Sequence, residues 1–146
     1  MKDRKTVPKA VPKVSPVGTG PSRSEDAEQN ELRKLLDASG LRWFHVPNGG
    51  FRDHVTAARL CSLGVKTGVP DILITSRPPK RLEARGVAIE LKTRDGGRVL
   101  PDQRRWLEGL TEDGWVVAVC HGSDEAVAFL ASLGWSLEAG RVGVGC

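Results

Sequence analysis

The stretch "VAIELKT", residues 87–93, decides the fold class. Val87, Ile89 and Leu91 alternate with Ala88, Glu90 and Lys92, a period of two that reads as a β-strand with one wholly apolar face. The other face carries a carboxylate and an ammonium two residues apart. Taken by itself, such a pair marks a strand face open to water. A compact apolar run, "DILIT" (71–75), precedes it, and "WVVAVCH" (115–121) follows as a continuous hydrophobic run of the kind found in a central strand. Strands of this sort, separated by helical patterns, point to an α/β protein.

Working outward, "SEDAEQNELRKLLDASG" (24–40) opens with a serine and two acids, gathers Leu32, Leu35 and Leu36 on one stripe and stops at Gly40, which predicts a helix. "LRWFHVP" (41–47) reads as a short strand closed by Pro47, and "NGG" (48–50) as a turn. "FRDHVTAARLCSLG" (51–64) predicts a second helix with Val55, Ala58, and Cys61 or Leu60/Leu63, on its apolar side. "SRPPKRLEARG" (76–86) reads as a polar turn or hairpin connection. Pro101 starts a helix on which Gln103, Trp106, Leu107 and Leu110 face one way. Ser123 is expected to cap the last helix, with Ala126, Val127, Leu130 and Leu133 inward. The order is α-β-α-β-β-α-β-α, a mixed β-sheet flanked by helices over residues 24–137. Residues 1–23 form a basic, Pro- and Lys-rich leader too poor in apolar side chains to fold alone, and 138–146 a Gly-rich tail.

Composition narrows the class further. A chain of 146 residues with 39% hydrophobic and 27% charged residues suits one globular domain. No run approaches the roughly 18 apolar residues of a membrane span, and the first residues lack the apolar centre of a secretory signal. The expected location is therefore a cytoplasm. Three cysteines without CxxC spacing argue against a disulfide framework or a structural zinc site; Cys61 and Cys120, among apolar neighbours, are expected in the core. The formal charge of +4 resides in the leader, where Lys2, Arg4, Lys5, Lys9, Lys13 and Arg23 face the single acid Asp3. Such a segment suits nonspecific attraction to phosphates or simple solvation.

The chemistry lies in "GVPDILIT" (68–75) taken together with "VAIELKT". If the two strands pair, the Asp71 carboxylate approaches that of Glu90, and two like charges repel unless a cation sits between them. A hard cation such as Mg²⁺ fits, since it uses one or two carboxylates and keeps several waters. Lys92 would then orient a water and stabilise negative charge at phosphorus.

In sequence, "EDAEQNELRKLL", "HVPNGG" with Arg52, "GVKTGVPDILIT", "VAIELKTRDGG", "LPDQRRWLEGL" and "GWVVAVCHGSDEA" resemble the VRR-NUC family of PD-(D/E)xK nucleases. The likeness runs over about residues 24 to 134 and is nearest to the small stand-alone members encoded by phages and prophages. It implies a restriction-endonuclease-like fold and Mg²⁺- or Mn²⁺-dependent endonucleolytic cleavage of DNA, in a bacterial or phage-infected cell. By the same resemblance Asp71, Glu90 and the Leu91 carbonyl bind metal, Lys92 assists the water, and Gln103 orders the lysine or the substrate. An acid on the first helix completes the set: Glu28 matches best, and Glu25, one turn earlier, is the other candidate. Leu100 departs from the pattern, because a hydroxyl usually caps the helix there, and this puts the setting of Gln103 in question.

Asn48, Arg52 and Lys66 are candidate DNA contacts, as is Arg94 with Arg98, Arg104 and Arg105 near the strand exit. His45 is expected to be a hydrogen-bonded structural residue, and the four tryptophans to serve packing. The expected substrate is duplex or branched DNA, a four-way junction included, and the family is compatible with a homodimer presenting two sites. Two other readings stand beside this one. One is a catalytically inactive nucleic-acid-binding module of the same fold, and the other an α/β domain with surface salt bridges.

Overall fold

A computed structural model describes residues 23–47 and 53–137. Eight elements follow in chain order: α1 (Glu25–Ser39), β1 (Trp43–His45), α2 (His54–Ser62), β2 (Ile72–Ile74), β3 (Val87–Lys92), α3 (Pro101–Glu112), β4 (Val116–His121) and α4 (Ser123–Ser132). The sequence order of helices and strands is thus the one observed. Residues 1–22, 48–52 and 138–146 lie outside the described set, and with them Asn48, Arg52, the "NGG" turn and most of the leader.

The strands form one sheet in the order β1-β2-β3-β4. β1/β2 and β2/β3 are antiparallel, and β3/β4 is parallel, with α3 in the connection. The alternation read in "VAIELKT" divides the core in two. Ile72, Ile74, Val87, Ile89 and Leu91 pack with Leu32 and Leu36 of α1 and Ala126, Phe129 and Leu130 of α4. Ala88 and Val117, on the opposite face, meet Leu107 of α3. Every residue of β3 is buried, so Glu90 and Lys92 are not on a wet face. Each fully buried Leu or Ile contributes about 1.5–3 kcal/mol of apolar transfer, which fixes the register of a strand whose other face holds charges.

Local signals set the element ends. The Ser24 side chain accepts the Ala27 N–H at 3.2 Å and Gly40 closes α1 at φ 74°. The Asp53 side chain accepts the Thr56 N–H at 2.8 Å at the start of α2. Two expectations fail here. α2 has no buried residue: Val55 is 80% exposed and Cys61 is exposed, so its apolar side is not core. Ser123 does not cap α4 either, because it is the first helical residue and Gly122, without a side chain, holds the cap position. Cys120, in contrast, is buried. Trp43, Trp115 and Trp135 pack against the core clusters, and the Trp106 indole N–H donates to the Thr67 carbonyl.

Candidate active site

β2 and β3 bring the acids together. Ile72 pairs with Ile89 in the register, and one further step sets Asp71 opposite Glu90. Cross-strand partners share a face, so both carboxylates turn to the side on which α3 lies. The Asp71 Oδ2 accepts the Leu91 N–H at 2.8 Å, while its main-chain carbonyl accepts the Val46 N–H at 2.8 Å and contacts His45 Nδ1 at 2.9 Å. His45 thus has the structural role expected of it. In an extended strand the N–H and C=O of one residue point to the same edge, so the Leu91 carbonyl opens toward the Asp71 side.

Glu90 is 1% exposed. Its Oε1 accepts from Lys92 Nζ at 2.7 Å and from Gln103 Nε2 at 2.5 Å; its Oε2 is buried and has no hydrogen-bond partner. Gln103 Oε1 accepts in turn from Lys92 Nζ at 3.2 Å and from the Leu100 N–H at 2.9 Å. The glutamine therefore needs no hydroxyl at position 100. It reaches back to the main chain as the second half of a capping box does, and that bond locks its amide over the lysine. Two glycines allow the close fit. A Cβ on Gly68, at φ 81°, would fall 2.6 Å from the Asp102 carbonyl carbon, and one on Gly97 3.0 Å from Lys92 Cδ. The loop "RDGG" accordingly lies against the lysine stem.

Electrostatics follow from burial. Desolvation, then the charge of Asp71, pushes the Glu90 carboxyl up to about 7 against the pull of Lys92. Asp71 is raised too, chiefly by burial, with the Leu91 N–H, Lys92 and His45 opposing. Glu25 is raised by burial and by Asp71, and it feels Lys92 as well. The first turn of α1 is thus within electrostatic reach of the strand acids.

Glu28 is engaged elsewhere. It is fully buried, with Oε1 accepting from Arg94 Nε at 2.5 Å and Oε2 from the Ser123 N–H at 2.8 Å and Oγ at 2.7 Å. Burial would raise its carboxyl, but Arg94 and Ser123 together outweigh that and hold it near 2. Both oxygens are taken, so Glu28 does not present a free carboxylate to the strand acids. Of the two helix candidates, Glu25 is the one that couples electrostatically to Asp71, Glu90 and Lys92. Arg94 is likewise no free phosphate contact, since its guanidinium is held by Glu28 and, at 2.9 Å, by Asp124. Sequence reading did not find the roles of Ser123 and Asp124, because their partners lie 95 and 30 residues away and leave no local pattern.

The remaining basic candidates are placed without a common partner. Lys66 is exposed and borders, with Thr67, Arg105 and Trp106, a groove of about 300 Å³ along α3. Arg98 and Arg104 are exposed, and Arg105 pairs with Asp102 within α3.

A family model for the VRR-NUC domain matches residues 23–124. The chain belongs to the VRR-NUC family. A solved structure of a VRR_NUC domain protein superposes with a TM-score of 0.60 at 22% identity, covering 81% of this chain and 100% of that one. No curated protein matches the sequence. The VRR-NUC match ends within the first turn of α4 and includes every acid and base of the strand cluster. Membership carries a nuclease-type function, and the fold is that of the VRR-NUC neighbour: a mixed four-stranded sheet flanked by four helices.

The VRR-NUC donor set suits a hard divalent cation. An orphaned, buried carboxylate oxygen beside a second raised carboxylate is a site with unbalanced negative potential. Among the described residues no three His, Cys, Asp or Glu side chains are gathered to hold an ion alone. Mg²⁺ is commonly held by one or two carboxylates, with water and substrate phosphate filling the rest.

Proposed function

We propose that the protein is a Mg²⁺- or Mn²⁺-dependent endonuclease that hydrolyses phosphodiester bonds in DNA. The observation that carries this reading is Glu90, buried with one oxygen unpartnered and the other tied to Lys92 and Gln103. Asp71 and Glu90 would hold the metal, with the Leu91 carbonyl and Glu25 supplying further oxygens. When bound, the ion neutralises charge on the scissile phosphate and makes a water more acidic.

The chain's own groups do the rest. Glu90 fixes Lys92 in one rotamer through a 2.7 Å bond, and Gln103 holds it from the other side, so the ammonium is presented without a search. Two of its three donors are used in this way, and the third suits the attacking water or a phosphate oxygen. Burial of the pair keeps its field strong where negative charge builds on the phosphate. Lys66, Arg98 and Arg104 are exposed and suited to contacts with the DNA backbone, which fix register without reading sequence. Branched DNA and a paired, two-site assembly belong to the same proposal.

Plasmid cleavage tests the reading. Cleavage with Mg²⁺ or Mn²⁺ is expected to stop with EDTA and to fall at least about a hundredfold in Lys92→Ala, by the loss of a positioned general acid–base or charge-stabilising group. A Lys92→Ala protein that cuts at the wild-type rate, or cleavage indifferent to EDTA, rejects it. A panel of single strands, duplex, flaps and four-way junctions then defines the preferred substrate.

A further inference from the structure

Glu28 lies one helical turn beyond Glu25, on the same side of α1. Its carboxylate gathers three separate pieces of chain. Arg94, two residues past Lys92, donates through Nε at 2.5 Å and Nη2 at 3.4 Å. The N–H and hydroxyl of Ser123 donate from the first residue of α4, so Glu28 occupies the capping position that Gly122 leaves empty. The Gly122 N–H in turn donates to the Lys92 carbonyl at 2.9 Å. Gly122 is at φ 90°, and a Cβ there would stand 2.9 Å from Arg94 Cγ and 3.5 Å from Glu28 Cδ.

We infer that Glu28, Arg94 and Ser123 form a buried clamp that positions Glu25 against the Asp71–Glu90–Lys92 cluster. The inference rests on the proposed metal site. Glu25 sits in the first turn of α1, where main-chain donors lack helical partners and helices fray. The clamp anchors the next turn to the end of β3, the strand that carries Glu90 and Lys92. It adds a polar tie near the start of α1 to the core packing of Leu32 and Leu36 further along the helix. Glu28 and Arg94 are positioning residues, acting through Glu25 and not on substrate. Outer groups that orient a metal ligand typically affect affinity by about 10–100-fold when changed.

The test uses the full-length protein, with Mn²⁺ binding by calorimetry, cleavage rates and melting measured for Glu28→Gln, Arg94→Lys, Glu25→Gln and the Glu25→Gln/Glu28→Gln pair. Glu28→Gln is expected to weaken Mn²⁺ binding about tenfold and to lower kcat with little change in KM for DNA. Arg94→Lys keeps the charge but not the fork, and is expected to lose less of both; it carries the test if Glu28→Gln does not fold. In the Glu25→Gln background the Glu28 change is expected to add no further loss of Mn²⁺ affinity, because its effect passes through Glu25. A full, additive loss in that background makes Glu28 a ligand itself and overturns the inference. Lowered melting with unchanged Mn²⁺ affinity and kcat overturns it in favour of a stability role. Wild-type protein that takes up no Mn²⁺ overturns the metal site and the inference together.

Discussion

Glu90 carries two opposed demands. Its Oε1 is as well satisfied as a buried acceptor can be, while Oε2 has nothing, and Asp71 faces it across the hairpin. Burial and that facing charge raise its carboxyl to about 7, above the ordinary value of 4.5. Between those values the folded protein keeps a proton that the unfolded chain releases. Metal-free protein therefore has the full Glu90 contribution below about pH 4.5 and loses it as pH rises toward 7. Asp71 and Glu25, raised in the same sense, add to the decline. Melting curves in EDTA are expected to shift downward over this window, and Glu90→Gln, neutral throughout, is expected to flatten the profile. Parallel profiles for the two proteins would show that Glu90 ionises as freely in the fold as in solvent. Glu28 has the opposite sign, since a carboxyl held near 2 contributes stability above pH 4.5 that is lost on acidification. Glu28 and Glu90 thus titrate in separate windows, because Arg94 and Ser123 outweigh burial at the first, while burial and Asp71 outweigh Lys92 at the second.

At the scale of elements, α3 shows how a weak local signal is compensated. Leu100 makes no side-chain cap, yet Gln103 reaches back to accept the Leu100 N–H and is fixed by doing so. Leu100 is 59% exposed and has the extended backbone of a capping residue, φ −72° and ψ 158°. Leu100→Ser is therefore expected to gain about 0.5–1 kcal/mol, seen as a rise of a few degrees in melting temperature. Cleavage is expected to stay at the wild-type rate, because the Gln103 bond is to main chain; a drop in cleavage would show that the leucine side chain has a part in holding Gln103. The eight elements and the Asp71/Glu90/Lys92 cluster were legible in the sequence because each is written in local period, caps and spacing. The failures share a physical origin as well. Cys61 and Val55 have helical spacing on a helix that buries nothing, and periodicity does not tell a core face from an open one. Glu25 and Glu28 lie on the same stripe, and what separates them is Ser123 and Arg94, remote residues that no local pattern names. The cap of α4 was misread for the same reason, as its acceptor comes from α1.

Over the whole molecule the charge distribution and the fold pull apart. The formal +4 is confined to the leader, so the domain that holds the acids brings no net positive field of its own to a polyanion. Its exposed bases, Lys66, Arg98 and Arg104 among them, lie among about as many acids. Attraction over a Debye length, about 8–10 Å at ordinary salt, then depends on residues 1–22. Removing residues 2–22 takes away Lys2, Arg4, Lys5, Lys9 and Lys13 with Asp3, and with them the whole formal excess. Each phosphate neutralised contributes about 0.9 to the slope of log affinity against log salt, so five leader bases bound to DNA account for a slope of about 4.5. The shortened chain is expected to bind duplex DNA more weakly at low salt, with a slope shallower by up to that amount. At saturating DNA its kcat is expected to equal that of the full chain, because Asp71, Glu90, Lys92 and Gln103 take their positions from β2, β3 and α3. Equal slopes for the two chains would assign DNA attraction to the domain surface. A lost kcat would mean that the leader reaches the site itself.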